Sequence, residues 1–478
     1  MRQMKEIATV FESQNYSIDN IICDTLKKFK FKTLCRKVGI QKSDGFSATE
    51  ILTLLLMLPL MALKNVHQLY KSAYAEKAAM QKDAFYRLKN NERYPWRSLL
   101  YAVARRFKEL AGARNEQKDT TVTAFILDDT IDQRVGYKIE NISRVFDHVL
   151  RKVVFGFKIL VLTYFDGTSS IPLDFSVHAE KRLERKKAEA QFKKKVDPRS
   201  SGGKRRKEIT ASKIDMAIAM LKRAVKHGFR ADYVLCDSWF SSKEFFQTIR
   251  GIAGGTMHVI AGVRNDKRKY AYQGQLFNAN AIIAKLKTEG SEHRCRQFNI
   301  RYFEAVVEYP DVGTAKLFIC RYPHQRKWRV FVSTNAILSL MEMMKIYGIR
   351  WTIEVMFRET KQHLQLGRCQ SRDFDAQIAH TTITLVLYTF LAYLKRVGSY
   401  ETLGELFRSI QQDICEKTLA ERLWALFEEL LAVMIKVISA NGAMDITFLQ
   451  QTEEYRYVKE IFASSFLFEQ MDMVNKSA

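Results

Sequence analysis

Cysteine is sparse and scattered in this chain, which rules out several kinds of protein at once. The seven cysteines (Cys23, Cys35, Cys236, Cys295, Cys320, Cys369 and Cys415) are odd in number, and no Cys-x-x-Cys pair or Cys/His cluster occurs. Neither a disulfide framework nor a structural zinc centre is indicated, and free thiols in a reducing compartment are the simpler account. Long hydrophobic runs are missing too. The longest, Ile51 to Leu63 and Ile383 to Leu394, fall short of the roughly 20 residues that span a bilayer. The first residues carry charges where a signal peptide would have an apolar stretch. Acidic residues are outnumbered, with 77 Lys and Arg against 52 Asp and Glu and a formal net charge of +25. Together these features predict a soluble intracellular protein with a polyanionic partner, nucleic acid first among them and no membrane.

What is present is enough for substantial cores. Hydrophobic residues make up 47% of the chain and aromatics 12%, so the chain is not disordered. A length of 478 residues suggests two to four domains. Residues 1 to about 118 read as helical, with a capping-box start at Ser47-Ala-Thr-Glu50 and further helices at Asp83–Leu88 and Trp96–Ala111. A small DNA-binding module and a plain helical bundle both fit that pattern. From Thr121 the chain turns to strands: Val122–Leu127 leading into Asp128-Asp129-Thr130, then Phe155–Tyr164 and Ser170–Val177 around the turn Asp166-Gly167-Thr168. The Lys- and Arg-rich stretch from Glu180 to about Ser212 reads as a basic loop ordered on DNA or as a solvated linker. An amphipathic helix over 213–228, a buried strand Ala231–Asp237, a helix Ser242–Arg250 and a strand His258–Val263 follow. This alternation argues for an α/β sheet. Residues 264–335 are β-rich and read as an insertion, and from Asp373 the chain is helical again, at Thr381–Lys395, Thr402–Gln412 and Ala420–Ile438.

The polar pattern between Tyr347 and Lys361 carries most of the functional information. No Pro or internal Gly breaks it after Gly348. On a helix, Tyr347, Glu354 and Lys361 are heptad steps and Arg350 lies one turn before Glu354, so an aromatic hydroxyl, a guanidinium, a carboxylate and an ammonium share one stripe. From spacing alone, either a surface helix with internal ion pairs or a metal ligand beside phosphate-binding groups fits. Asp129 and Asp237 each stand at the predicted C-terminal end of a strand, where α/β sheets gather functional groups. Two carboxylates about 4 Å apart repel by on the order of 4 kcal/mol at an effective dielectric near 20. Such a cluster persists in ionised form mainly when cations neutralise it, and oxygen ligands without His or Cys favour Mg2+ or Mn2+ over zinc.

Tyr347-x2-Arg350-x3-Glu354-x6-Lys361, with Arg350-Trp351 and Ile353-Glu354 and the two upstream aspartates, resembles the signature of a group of bacterial insertion-sequence transposases with an Asp-Asp-Glu triad. The resemblance spans at least Thr121 to Gln370. It implies a multidomain α/β protein whose ribonuclease-H-like catalytic core is interrupted by a mostly β insertion and flanked by helical N- and C-terminal domains. The expected boundaries are a helical DNA-binding domain at 1–118, core at 119–263, insertion at 264–335, the Glu helix at 336–372 and a helical C-terminal domain at 373–478. It implies Asp129 (the second of the paired acids), Asp237 and Glu354 as catalytic metal ligands with Mg2+, replaceable by Mn2+. It implies Tyr347, Arg350 and Lys361 as phosphate contacts. Trp328 is either the platform for a flipped base or a core tryptophan. The activity implied is metal-dependent cleavage and strand transfer at the ends of a mobile element through a DNA hairpin. The implied setting is a homodimer on terminal inverted repeats and target DNA in the cytoplasm, at the nucleoid. The alternative is an idle, transposase-derived DNA-binding protein.

Overall fold

The computed structural model describes residues 18–72, 74–75, 80–112, 121–180, 183–264, 268–323, 325–438, 450–453 and 455–458. The chain divides into two compact units. One comprises 1–28, 57–79 and 404–478, and its described part is helical. The other, 29–56 with 80–403, holds the whole sheet.

The helical start consists of α1 (Ile18–Lys28), α2 (Phe31–Lys37), α3 (Ala48–Met57), α4 (Val66–Leu69), α5 (Lys82–Lys89) and α6 (Trp96–Gly112). The expected N-terminal domain lies partly outside the described residues, as 1–17 and 113–120 do not belong to them. Before α3 the predicted capping box forms: the Glu50 carboxylate accepts from Ser47 N at 2.7 Å, and Ser47 Oγ accepts from Glu50 N at 3.2 Å. Two orphan helix donors are thereby satisfied. Helix α6 buries Leu99, Leu100, Val103, Phe107 and Ala111, a spacing of three and four that makes one apolar face.

The first strands are β1 (Ala124–Arg134), β2 (Ser143–Asp147), β3 (Lys152–Phe165) and β4 (Ser170–His178). The described part of the basic segment that follows, 183–212, is built into the fold, contrary to the loop or linker reading. It carries α7 (Arg185–Glu189) and α8 (Ser201–Glu208). Arg206 binds Glu140 through two nitrogens, both at 2.8 Å, and Asp375 at 2.9 Å. Gly202 and Gly203 serve close approach, since a Cβ at Gly202 would lie 2.1 Å from Asp375 Oδ1 and one at Gly203 2.2 Å from the Asp197 carbonyl oxygen. The partners of these basic residues lie far off in sequence, so local composition gives no hint of them.

Beyond it come α9 (Lys213–Lys226), β5 (Tyr233–Cys236), α10 (Lys243–Gly251), β6 (His258–Val263), β7 (Lys269–Tyr272), β8 (Gln275–Asn278), α11 (Ala279–Thr288), β9 (His293–Cys295), β10 (Ile300–Tyr309), β11 (Gly313–Arg321) and β12 (Arg329–Ser333). The last helices are α12 (Leu340–Gly348), α13 (Trp351–Gln362), α14 (Phe374–Val397) and α15 (Leu403–Ile438). Among the described residues, twelve strands form one mixed sheet in the order β2-β3-β1-β5-β6-β12-β11-β10-β7-β8, with β4 on β3 and β9 on β10. Among the described residues, only β1–β5 and β5–β6 are parallel. The β-rich stretch 264–335 continues this sheet, because β12 pairs with β6 through Val330↔Val263 to Ser333↔Ile260. Helix α14 includes the Ile383–Leu394 run and is, by length and composition, apolar enough to cross a membrane, yet 89% of its apolar window is buried inside the protein. That burial is the signature of a core helix.

Two sequence expectations shift in detail. Strand β1 does not end at Asp128-Asp129. It runs on to Arg134, because β3 continues to pair with it after β5 has stopped at Leu127↔Cys236. The stripe from Tyr347 to Lys361 is not one helix. A turn at Ile349–Arg350 separates α12 from α13, placing Tyr347 at the end of one helix and Arg350 at the N-cap of the next.

Candidate active site

Asp128 and Asp129 lie side by side on β1, and successive strand residues point to opposite faces of a sheet. On the first face, Asp128 Oδ2 accepts from Arg350 Nη1 at 3.0 Å, and Nη2 of the same guanidinium donates to Glu354 Oε1 at 2.6 Å. Arg350 and Glu354 are four residues apart across the start of α13, so the planar fork can hold one acid from the sheet and one from the helix. On the other face, Asp129 Oδ2 meets Lys213 Nζ at 3.2 Å. Lys213 is the first residue of α9 and is buried, and its ammonium also lies 4.2 Å from the centre of the Trp239 ring. Asp237 follows directly on Cys236, the last residue of β5, and its Oδ1 accepts from Trp239 N at 2.9 Å.

The electrostatics tie these groups together. Burial pushes the Asp128 carboxyl up to about 7; Arg350 counters this, while the charges of Asp237 and Asp129 add to it. Burial likewise raises Asp237, with Asp129 adding to the rise and Arg350 and Lys213 opposing it. Acids distant in sequence thus sense one another at one edge of the parallel strands. Tyr347 sends its hydroxyl to the Cys236 carbonyl oxygen at 3.3 Å and packs on Phe331. Burial drives its pKa up to about 12. Lys361 Nζ donates to the Ile131 carbonyl oxygen at 3.0 Å. Tyr347 and Arg350 therefore stand beside the acids, whereas Lys361 is held further along β1, where Asp132 and Asp147 are the acids it senses. Trp328 stands apart, just before β12 and two strand spacings (roughly 10 Å) from β5, with its ring against Phe303 at 4.9 Å and Arg321 at 4.6 Å.

The donor set, carboxylate oxygens without His or Cys, suits a hard divalent cation. No group of three or more His, Cys, Asp or Glu side chains among the described residues is arranged to hold a metal ion. Arg350 binds Asp128 and Glu354, and Lys213 binds Asp129, so protein cations offset part of the acids' charge. Sequence reading missed Lys213 and Trp239: Lys213 sits in a basic stretch where one lysine resembles the next, and its position against Asp129 is purely tertiary. Trp239, two residues after Asp237, was the more accessible signal.

Residues 39–281, over half of the chain, match the family model described as DDE superfamily endonuclease. The chain belongs to that family. Residues 210–390 also match the model of the transposase DDE domain, which covers Asp237, the Tyr347–Lys361 stripe and most of α14. No curated protein matches the chain. As a DDE transposase the protein is a nuclease-type enzyme of DNA transposition that binds DNA and cleaves it with divalent metal ions. Its mixed sheet with flanking helices is compatible with a ribonuclease-H-like core.

Proposed function

We propose that the protein is a cut-and-paste transposase of the Tyr-x2-Arg-x3-Glu-x6-Lys group, cleaving the ends of an insertion sequence through a DNA hairpin. The observation that supports this reading is the Arg350 guanidinium, which joins Asp128 of β1 to Glu354 of α13, with Asp129 and Asp237 near enough for their charges to act on Asp128. Asp129, Asp237 and Glu354 are the assigned ligands for Mg2+, or for Mn2+ in its place. Bound there, such ions would activate a water or a 3′-hydroxyl and stabilise the leaving oxygen at phosphorus. The protein's own groups place the DNA: Arg350 and Lys361 contact backbone phosphates, which orients the strand without reading its sequence, and Tyr347 holds the rim of β5 beside them. Trp328 receives the flipped base. The assigned domains are those expected from the sequence, with DNA binding at 1–118 and a homodimer on paired terminal repeats at the nucleoid.

Asp128 is a second candidate for the first ligand, favoured by its link to Glu354 through Arg350. Nicking assays on terminal-repeat DNA with Mg2+ or Mn2+ decide both questions. Tight binding without any nicking would establish the idle DNA-binding protein instead. Asp129→Asn is expected to abolish nicking and Asp128→Asn only to slow it; the reverse order would transfer the role to Asp128.

A further inference from the structure

The strand β1 pairs with β5 only from Ala124 to Leu127, then runs seven residues further with β3 as its partner. Beyond Arg134↔Phe155, β3 continues with β2 down to Asp147↔Lys152. A ribbon thus extends past Asp128 and Asp129 and ends in the turn at 148–151. The Asp147 carboxylate shapes that turn by accepting from Val149 N at 2.8 Å and Leu150 N at 3.0 Å.

The tip is apolar and uncovered. Val149 is 91% exposed, and Phe146, Leu150 and Val153 are exposed with it. Apolar side chains grouped on an ordered, exposed element mark a contact surface. Arg151 and Lys152 follow directly as exposed cations, while Arg144 is paired with Glu184 at 3.8 Å and Glu180 accepts from Phe146 N further down the ribbon. A second copy would bring like charge to like charge, on a chain already at +25. Duplex DNA matches both features, with phosphates for the cations and base steps for an apolar wedge. The distance agrees as well. Leu160 pairs with Asp129, and the eight residues from Lys152 to Leu160 span about 27 Å at ~3.4 Å per residue. The turn takes the reach to roughly 30 Å, just under one turn of DNA at about 34 Å.

We propose that the β2–β3 tip is a DNA-gripping arm. It contacts duplex DNA about one helical turn from the phosphate at the acids, with Arg151 and Lys152 on the backbone and Val149 and Leu150 against the base edges. This rests on the DNA-cleaving reading above. The test is fluorescence anisotropy of a labelled mixed-sequence duplex of about three helical turns, titrated with the full chain across roughly 50–200 mM salt. Arg151→Ala/Lys152→Ala should lower the salt slope by about 1.8, the loss of two phosphate contacts, and Arg151→Lys/Lys152→Arg should restore it. Val149→Ser/Leu150→Ser should weaken binding severalfold with the slope unchanged. All variants alter exposed side chains, and thermal melting checks that each folds as the wild type does. Wild-type slope and affinity in both variants would overturn the arm, as would a wild-type dimer that Val149→Ser/Leu150→Ser dissociates without loss of DNA affinity. A wild type that fails to bind the duplex at all would overturn the DNA reading and the arm together, an outcome distinct from either of these.

Discussion

Asp174 and Asp128 are both acids on strands of one sheet, but their surroundings treat them in opposite ways. Asp174 on β4 is fully buried, and burial alone would push its carboxyl up. Arg97, Arg223 and Arg205 outweigh that and hold it below the usual carboxylate range. It accepts from Arg97 Nε at 2.7 Å, Arg223 Nε at 2.8 Å and the Tyr101 hydroxyl at 3.2 Å. Arg97 meanwhile binds both oxygens of Glu208 at 2.9 and 2.8 Å. This is a closed ion network in which α6, β4, α8 and α9 meet. Asp128 has one guanidinium, which it shares with Glu354, and two further acids near it, and its pKa is raised to about 7. Protein cations satisfy the first acid. The second remains under-neutralised, which suits a site that takes its remaining positive charge from outside. The same residue type serves as scaffold in one place and as reactive edge in the other.

Substitutions can break this contrast. The largest effect is expected at the reactive edge: Asp237→Asn and Glu354→Gln should each abolish strand cleavage in Mg2+ or Mn2+ while duplex binding and the melting temperature stay near wild type. Cleavage surviving in either would remove that residue from the ligand set. At the scaffold the outcome should invert. Asp174→Ala strands buried guanidinium groups, and removing one partner of a buried ion pair costs about 3–5 kcal/mol. Urea unfolding should show that loss, and an unchanged midpoint would mean that water already compensates the arginines. Trp328→Ala tests a smaller step. Stacking on an aromatic contributes about 1–3 kcal/mol, so first-strand nicking should persist while hairpin closure falls roughly tenfold. Equal loss of both steps would make Trp328 a packing residue of β12.

The smallest expected effect concerns pH. Burial, helped by Lys89 and Arg134, holds His380 on α14 neutral down to about 3, with its ring nitrogen 2.8 Å from the Gln365 carbonyl oxygen. An unfolded histidine titrates near 6.5. Between those values the unfolded state binds the extra proton, so stability drops as pH falls below about 6.5, by at most about 1.4 kcal/mol per pH unit. His380→Gln should flatten the fall in urea midpoint between neutral and mildly acidic pH. An equal fall in both proteins would assign the acid sensitivity to other groups.

Much of this arrangement is legible in the sequence. The strand His258–Val263, the helix begun by Ser242 and the capping box at Ser47 formed where local pattern placed them. Asp237 sits where an apolar run ends, because a buried strand must stop as its residues turn polar. The reach of β1 beyond Asp129 was not legible, since Thr130 to Arg134 look like a polar turn until β3 pairs with them. The break at Ile349–Arg350 carries no Pro, and spacing alone made it one continuous helix. The basic stretch before Ser212 looked solvated because Glu140 and Asp375, which bind Arg206, lie 66 and 169 residues away.

The sequence by itself determined the types of group and their order: the paired acids, the later aspartate, the Tyr347–Lys361 spacing and an excess of positive charge. Local periodicity and residue chemistry are sufficient for that. Only the tertiary structure decided which groups share a partner. It set Asp128 with Glu354 across Arg350, Asp129 against Lys213, and the apolar tip of the β2–β3 ribbon roughly one DNA turn away. Pairing register and the direction of a side chain from a strand are set by long-range contacts, which adjacent residues do not encode.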